Sequence, residues 1–284
     1  MNELSYERRR MAEALRNLRA DTGLSTTQLA RRLGWSQSKV SKTERGVTFP
    51  QRADVEAWAA ATSASAELAA ELIELADQAS IEFTERRRVL APGRRRVQAE
   101  IQRLEEAASV VRVFQSNIIV GLAQTRAYVE AMFQTGRRTP PEHLDEAVAS
   151  RLDRQVTLAN QSKRFELVMG EAALRRRLIP PGAMRTQLER LVELSRQPNI
   201  DLRIIRFDTG ERAHQYHGYS VIGDPDLDDE AIVWITTVTR TLRIRGDSEI
   251  REYIEHFGGL RAAATEGEPL RAFLHELITE LPET

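Results

Sequence analysis

Residues 24–50 read LSTTQLARRLGWSQSKVSKTERGVTFP. Thr26 can cap a first helix running through Gln28, Leu29, Ala30 and Leu33. Gly34 ends it, because glycine takes up the left-handed backbone of a tight helix exit without steric cost. Ser36 is suited to cap a second helix, Gln37 to Arg45, by offering its hydroxyl oxygen to a free amide of the first turn. Gly46 closes that helix and Pro50 bars an immediate return. Two short helices about one glycine turn form the unit that lays its second helix in the major groove of DNA.

The side chains agree with that use. Leu29, Ala30, Leu33 and Val40 supply apolar contacts between the helices, and Ala30 is small where they should approach closely. The second helix shows Gln37, Ser38, Lys42 and Arg45 outward, all able to bond bases or phosphates. Ser36, Lys39 and Ser41 on the same short segment complete the candidate contact set. No acidic residue sits on its first two turns. Glu44 comes late, where pairing with Arg19 suits it better than facing DNA.

Three further motifs surround this core: Leu18, Arg19, Gly23, Leu24 and Ser25 at the opening, Gln28-Leu29-Ala30 within it, and Ser41, Glu44, Arg45 and Gly46 at the close. With them, the stretch from about Arg8 to about Gln78 resembles the Xre-type, lambda-repressor-like helix-turn-helix family. The resemblance implies an all-α head of five helices, roughly 5–22, 26–33, 37–45, 52–61 and 64–78. It implies that Arg19 and Glu44 form a buried ion pair, that Thr26 and Arg52 touch phosphates, and that Gln37, Ser38 and Lys42 read bases.

Composition narrows the rest. A chain of 284 residues with 41% hydrophobic and 29% charged residues suits two ordinary globular domains. The start, MNELSYERRR, is charged and is not the apolar core of a signal peptide. The longest apolar run, Asn117 to Ala123, is far too short to span a membrane. The absence of cysteine excludes disulfides, thiolate catalysis and thiolate metal sites, and fits a reducing cytoplasm. Formal net charge is only -1, but residues 1–60 hold 11 Lys and Arg against 7 Asp and Glu, a local excess of +4. The positive end is therefore the helix-turn-helix end.

We expect three parts: a DNA-binding head over 1–80, a basic linker over 81–96 and an α+β regulatory domain over 97–284. The linker carries arginine triplets at 86–88 and 94–96 about Pro92-Gly93. They could serve as a phosphate-contacting arm, although charge runs are more often solvated faces. Beyond it, 97–107 reads as helix, Val110–Val113 as strand, and 125–135 as a helix capped by Thr125 and ended by Gly136. Thr139-Pro140-Pro141-Glu142 opens a helix running to about Asn160. Phe165–Met169 as strand, Ala183–Gln197 as helix and Ile200–Phe207 as strand form a β-α-β unit with parallel strands. Tyr219–Ile222, Ala231–Thr237 and Thr241–Ile244 are further strands, expected to be antiparallel in a mixed sheet. Helices at 247–257 and 268–280 end the chain.

This second part also has landmarks: Val120-Gly121-Leu122-Ala123-Gln124-Thr125, Arg151-Leu152-Asp153-Arg154-Gln155, Glu171-Ala172-Ala173-Leu174, Gln187-Leu188 and Gln197-Pro198-Asn199-Ile200. On these, Leu104 to Leu281 resembles the uncharacterised C-terminal domain that follows Xre-type heads in many actinobacterial regulators. Val120, Ala123, Gly170 and Arg206 depart from its usual residues. The resemblance implies a transcription regulator with an antitoxin-like or developmental role, encoded beside a small protein partner.

Other chemistry finds little support. His214 and His217 form the only close His pair, with Glu211 the nearest third ligand, and a turn into a strand explains them more simply than a metal. Asp224-Pro225-Asp226-Leu227-Asp228-Asp229-Glu230 lacks the glycine and closing glutamate of a calcium loop and reads as an acidic hairpin turn. No GxSxG, phosphate loop or HExxH is present, so we expect no enzyme, no metal and no cofactor. The chain is expected to bind double-stranded DNA as a homodimer in the cytoplasm, without membrane association. Its second domain would take either a small protein partner or a small-molecule effector, the latter walled by Trp234, Tyr216 and Tyr219.

Overall fold

The computed structural model describes residues 3–79, 81–85, 94–135, 143–237 and 240–283. The chain divides into two compact units. The first comprises Met1–Phe83 together with Leu242–Ile250, and the second Thr84–Thr241 with Arg251–Thr284.

The first unit is a bundle of five helices: α1 (Glu3–Asp21), α2 (Thr26–Leu33), α3 (Gln37–Glu44), α4 (Arg52–Ala61) and α5 (Ala66–Ala79). Each helix buries one apolar stripe. Met11, Leu15 and Leu18 of α1 meet Leu29 and Ala30 of α2, Val40 of α3, Val55 and Trp58 of α4, and Leu72 and Leu75 of α5. Trp58 is fully buried, and its indole N–H is satisfied by the Leu15 carbonyl at 3.1 Å. Beyond the bundle this unit holds most of strand β1 (Ile81–Glu85) and most of its neighbour β7 (Arg240–Ile244).

The second unit is α+β. It opens with α6 (Arg94–Ala107), so a helix already includes the arginines at 94–96. Its strands β2 (Val110–Gln115), β3 (Arg164–Gly170), β4 (Ile200–Ile205), β5 (Tyr219–Ile222) and β6 (Ile232–Thr236) pair in the order β6-β5-β2-β3-β4. Strands β2, β3 and β4 run parallel, in the register Arg112↔Glu166↔Asp201. Strand β5 is antiparallel to β2, and β6 to β5. The sheet is mixed, as the sequence pattern indicated. The parallel β3–β4 pair is joined through α9 (Glu171–Arg175) and α10 (Pro181–Leu194), with Pro181 starting α10 where its missing N–H costs nothing. Between β2 and β3 lie α7 (Arg126–Thr135) and α8 (Leu144–Asp153).

The period of two sorts the sheet's side chains. One face carries Val111, Val113, Phe165, Leu167, Met169, Leu202 and Ile204. It packs on Met184, Leu188 and Leu191 of α10 and on Leu270, Phe273, Leu274 and Leu277 of α12 (Gly267–Thr279). The other face carries a row of charge. Arg112 bonds Glu166 at 3.1 Å and Asp224 at 2.9 Å, while Asp201 takes Arg203 at 2.8 Å and Arg261 at 2.6 Å. Arg261 comes from α11 (Asp247–Ala263), which also buries Phe257 and Leu260. Buried charges survive because each has an ionic and hydrogen-bonding partner.

One expected helix is shorter than the pattern indicated. The helix placed up to Asn160 ends at Asp153, and Arg154–Ala159 tightens into 3-10 geometry. The reason is Arg154, buried to 9% exposure, whose guanidinium reaches Glu105 at 2.8 and 2.9 Å. Gly136, Thr139-Pro140-Pro141-Glu142, the arginines at 86–88 and Pro92-Gly93 lie outside the described residues.

Candidate nucleic-acid interface

The helix-turn-helix is held by caps at each joint. Ser25, not Thr26, is the N-cap of α2. Its hydroxyl accepts the Gln28 amide at 3.2 Å, while the Gln28 side chain accepts the Ser25 amide at 2.8 Å. This is a reciprocal capping box. The Ser25-x-x-Gln28 spacing was visible in the sequence and carried that signal. Ser25 holds the extended backbone of a cap, which leaves Thr26 as the first helical residue. Gly34 then takes φ +69, a conformation that favours glycine, and closes α2. Ser36 caps α3 by accepting the Lys39 amide at 3.1 Å. Gly46 at φ +67 follows Arg45, the residue that ends α3.

These joints set what α3 presents. Gln37 and Ser38 at its N-terminus are exposed, as is Arg45 at its end; Ser41 and Lys42 are partly exposed between them. Gln37 donates its side-chain amide to the Thr26 hydroxyl at 3.2 Å, which ties the first residues of α2 and α3 together. Arg45 folds back on the Ser41 carbonyl at 3.2 Å. Ser36 spends its hydroxyl on the cap. Arg52 lies at the start of α4 and meets Glu56 at 2.9 Å in an exposed pair.

Lys39 is held within the protein. Its ammonium bonds Asp54 at 2.9 Å and lies 4.2 Å from the centre of the Trp35 ring. Asp54 and Trp35 are therefore site residues that the linear pattern did not single out, since only the tertiary packing of α4 brings Asp54 there.

Behind the presented face, Arg19 clamps Glu44. Two guanidinium nitrogens meet the two carboxylate oxygens, Nη2 to Oε2 at 2.9 Å and Nε to Oε1, while Nη1 donates to the Leu24 carbonyl at 2.7 Å. The side chains are 16% and 8% exposed. The hydrogen bond to Glu44 raises the Arg19 pKa above its usual value. Of the nearby acids, Glu44 and Asp54 are thus each matched by a cation, and α3 faces outward with neutral and basic groups.

In the second unit, the residues proposed as pocket walls do not come together. Trp234 pairs in register with Ser220 and joins the core on the helix-packed face. Tyr219, one residue before Ser220, points to the opposite face against Phe114, and Tyr216 is 72% exposed. The alternation of a strand separates them. Tyr219 and Tyr253 instead form an aromatic group with His214, Tyr216, His217 and His256. The Tyr219 hydroxyl bonds His256 Nδ1 at 2.7 Å, and His256 Nε2 donates to the His214 carbonyl at 2.9 Å. Partial desolvation of the ring, with His256 nearby, holds His217 below its usual pKa. The Asp224–Glu230 segment is a turn braced internally: Asp228 accepts the Asp224 and Ser109 amides, each at 2.9 Å, and Arg251 grips Asp226 at 2.8 Å. A polar cleft of about 550 Å³ opens at the starts of β3 and β4, lined among others by Ser162, Lys163, Asn199, Asp201 and Glu266.

The family landmarks of this unit mostly turn inward. Gln187 is fully buried. It accepts the Thr125 amide at 2.7 Å and donates to the Ala123 carbonyl at 2.8 Å. Gln124 donates to the Ile119 carbonyl at 2.7 Å, and Gln155 to the Gly121 and Gln124 carbonyls. A side chain at Gly121 would collide with the Arg151 guanidinium. Asn199 donates to the carbonyls of Leu158 and Asn160. Glu171 receives Arg175 and the Phe207 amide; those bonds outweigh its burial and lower its pKa.

Residues 98–276, more than half of the chain, match the family described as Domain of unknown function (DUF5753). The chain belongs to that family. Residues 10–72 match the family described as Helix-turn-helix domain, so most of α1, all of α2 to α4 and the first half of α5 carry that assignment. Nothing among curated proteins matches by sequence. Solved structures with a similar path include NucT from Helicobacter pylori, with TM-score 0.36, 10% identity, 66% of this chain and 98% of that chain covered. Another is TrmBL2, described as an archaeal chromatin protein with a novel mode of DNA binding, with TM-score 0.32, 11% identity, and 90% and 93% covered. The helix-turn-helix assignment supports DNA-binding regulation. Among the described residues no helix is long and apolar enough to cross a membrane.

Proposed function

We propose that this DUF5753 protein is a cytoplasmic, non-enzymatic transcription regulator of Xre type that reads duplex DNA through α3. The observation that carries the reading is the composition of the presented face: Gln37, Ser38, Lys42 and Arg45 stand outward while Glu44 is locked behind by Arg19. Gln37 suits adenine and Lys42 suits guanine in the major groove. On this reading Thr26, Ser41, Arg45 and Arg52 hold the phosphate backbone, and Ser36 and Lys39 act by keeping α3 in position. Because one short helix reads few base pairs, the protein is proposed to act as a homodimer on paired half-sites. The second unit supplies the regulatory input, a small protein partner in an antitoxin-like or developmental circuit of actinobacterial type. A small-molecule effector is the second reading, and the polar 550 Å³ cleft is the feature that favours it.

The test is a footprint on selected operator DNA. Gln37→Ala and Lys42→Ala should each cost about 1–3 kcal/mol, roughly 5- to 150-fold in affinity, and relax preference at one base position. A double variant that protects the same footprint equally well rejects the assignment. Sedimentation tests the dimer: a chain that stays monomeric at micromolar concentration, free and with DNA, refutes it.

A further inference from the structure

The helix-turn-helix unit includes a segment from far along the chain. Leu242–Ile250, about 160 residues beyond the end of α5, belongs to the same compact unit as the five helices. Strand β7 neighbours β1, and Ile244 and Ile250 are buried. The Gln51 side-chain amide donates to the Arg245 carbonyl. Gln51 is the N-cap of α4, and its own amide donates to Asp54 Oδ2 at 3.1 Å. The other oxygen of that carboxylate receives the Lys39 ammonium of α3 at 2.9 Å. A continuous hydrogen-bonded path therefore runs from Arg245 through Gln51 and Asp54 to Lys39.

We infer that Leu242–Ile250 is a functional part of the DNA-reading head, and that Gln51 and Asp54 are positioning residues through which it sets the order of α3. The segment runs without interruption into α11, most of which belongs to the second unit. A regulatory event that displaces 242–250 would thus reach the recognition helix through side chains, with no need for a signal through the linker. The path is polar and directional. It uses both oxygens of one carboxylate, one on the Gln51 main-chain amide at the α4 cap and one on the Lys39 ammonium, so a shift of the cap moves the Lys39 anchor with it.

The test is hydrogen exchange of the full chain without DNA, which makes it independent of whether α3 reads bases. Gln51→Ala removes the donor to Arg245. Exchange of the amides of 37–45 and of 242–250 should both rise, by about 3- to 10-fold, the range for one lost hydrogen bond. In a Lys39→Met background the effect of Gln51→Ala on 37–45 should vanish, because the path is already cut. Unchanged exchange at 37–45 with faster exchange at 242–250 overturns the inference. So does an undiminished effect in the Lys39→Met background, or no change at either segment. Amides of α1, in the same unit, report global unfolding of the head; should Gln51→Ala lose protection there, the shorter Gln51→Asn is read by the same criteria.

Discussion

Replacing Arg19 with alanine tests the clamp beneath the reading face. The side chain makes two bonds to Glu44 and one to the Leu24 carbonyl. Removing one partner of a fully buried pair costs about 3–5 kcal/mol, and of an exposed pair about 0–1 kcal/mol. With Arg19 and Glu44 at 16% and 8% side-chain exposure, the site lies near the buried limit. The stranded carboxylate and carbonyl together set a loss of about 3 kcal/mol. The chain has three tryptophans, and Trp35 and Trp58 belong to the head. In a Trp234→Phe background, fluorescence during urea unfolding of the full chain reports the head alone. A urea dependence of about 1–1.5 kcal/mol per molar turns that loss into a midpoint shift of about 2–3 M. A shift below about 0.5 M refutes the argument from burial. An Arg19→Met, Glu44→Leu pair should recover much of the loss, because removing both charges leaves nothing stranded.

Three further outcomes follow from the geometry. Burial opposes the charge on Asp201, yet hydrogen bonds from Arg203 and Arg261 outweigh it and hold its pKa below the usual 3.8. A depressed carboxyl stabilises fully above the unfolded value and loses that contribution as pH falls through the folded one. Asp201→Asn should therefore be less stable at neutral pH and show a shallower acid limb below pH 3.8 by circular dichroism; parallel limbs would refute this. Gln187→Leu leaves the Thr125 amide and Ala123 carbonyl without their bonds and should lower the second unit's stability by about 2–4 kcal/mol. An unmoved chemical-unfolding midpoint, followed through Trp234 in a Trp35→Phe, Trp58→Phe background, counts against it. Lys39→Met should weaken DNA binding evenly across sequences, since its ammonium is committed to Asp54 and Trp35. Altered preference at a single base pair would instead make Lys39 a reading residue.

The parts of the fold that were legible are those fixed by local chemistry. Glycine positions and serine spacing place both turns of the helix-turn-helix because the backbone there needs positive φ and a side-chain acceptor within three residues. Strand alternation marks β3 and β4 and the helix between them, and hence a parallel pair. What was not legible depends on partners distant in sequence. The run toward Asn160 keeps a helical pattern, but Arg154 must reach Glu105, 49 residues earlier, and the helix tightens to let it. Trp234, Tyr216 and Tyr219 look alike as aromatic residues, yet one residue of strand register puts Trp234 and Tyr219 on opposite faces.

The same distinction separates the proposed reading residues from positioning ones. In the sequence, Lys39 and Lys42 are equivalent cations three apart on one short helix. In the folded head, Asp54 and Trp35 claim Lys39, and the difference comes from α4, fifteen residues away. The second unit shows the pattern at larger scale. Its landmarks Gln124, Gln155, Gln187 and Asn199 are polar and would pass for ligand contacts, but each is turned onto backbone carbonyls or amides that would otherwise be buried without partners. An internal carbonyl left bare costs about 1–3 kcal/mol, so these side chains are bound to the fold and are poorly placed to choose a ligand. If the second unit takes a partner or effector as proposed, the discriminating groups lie outside that scaffold, such as the exposed His214, Gln215, Tyr216 and His217 loop. Substitutions in that loop should change partner or effector selectivity while leaving the unfolding midpoint of the unit in place. Substitutions at the landmarks should do the reverse.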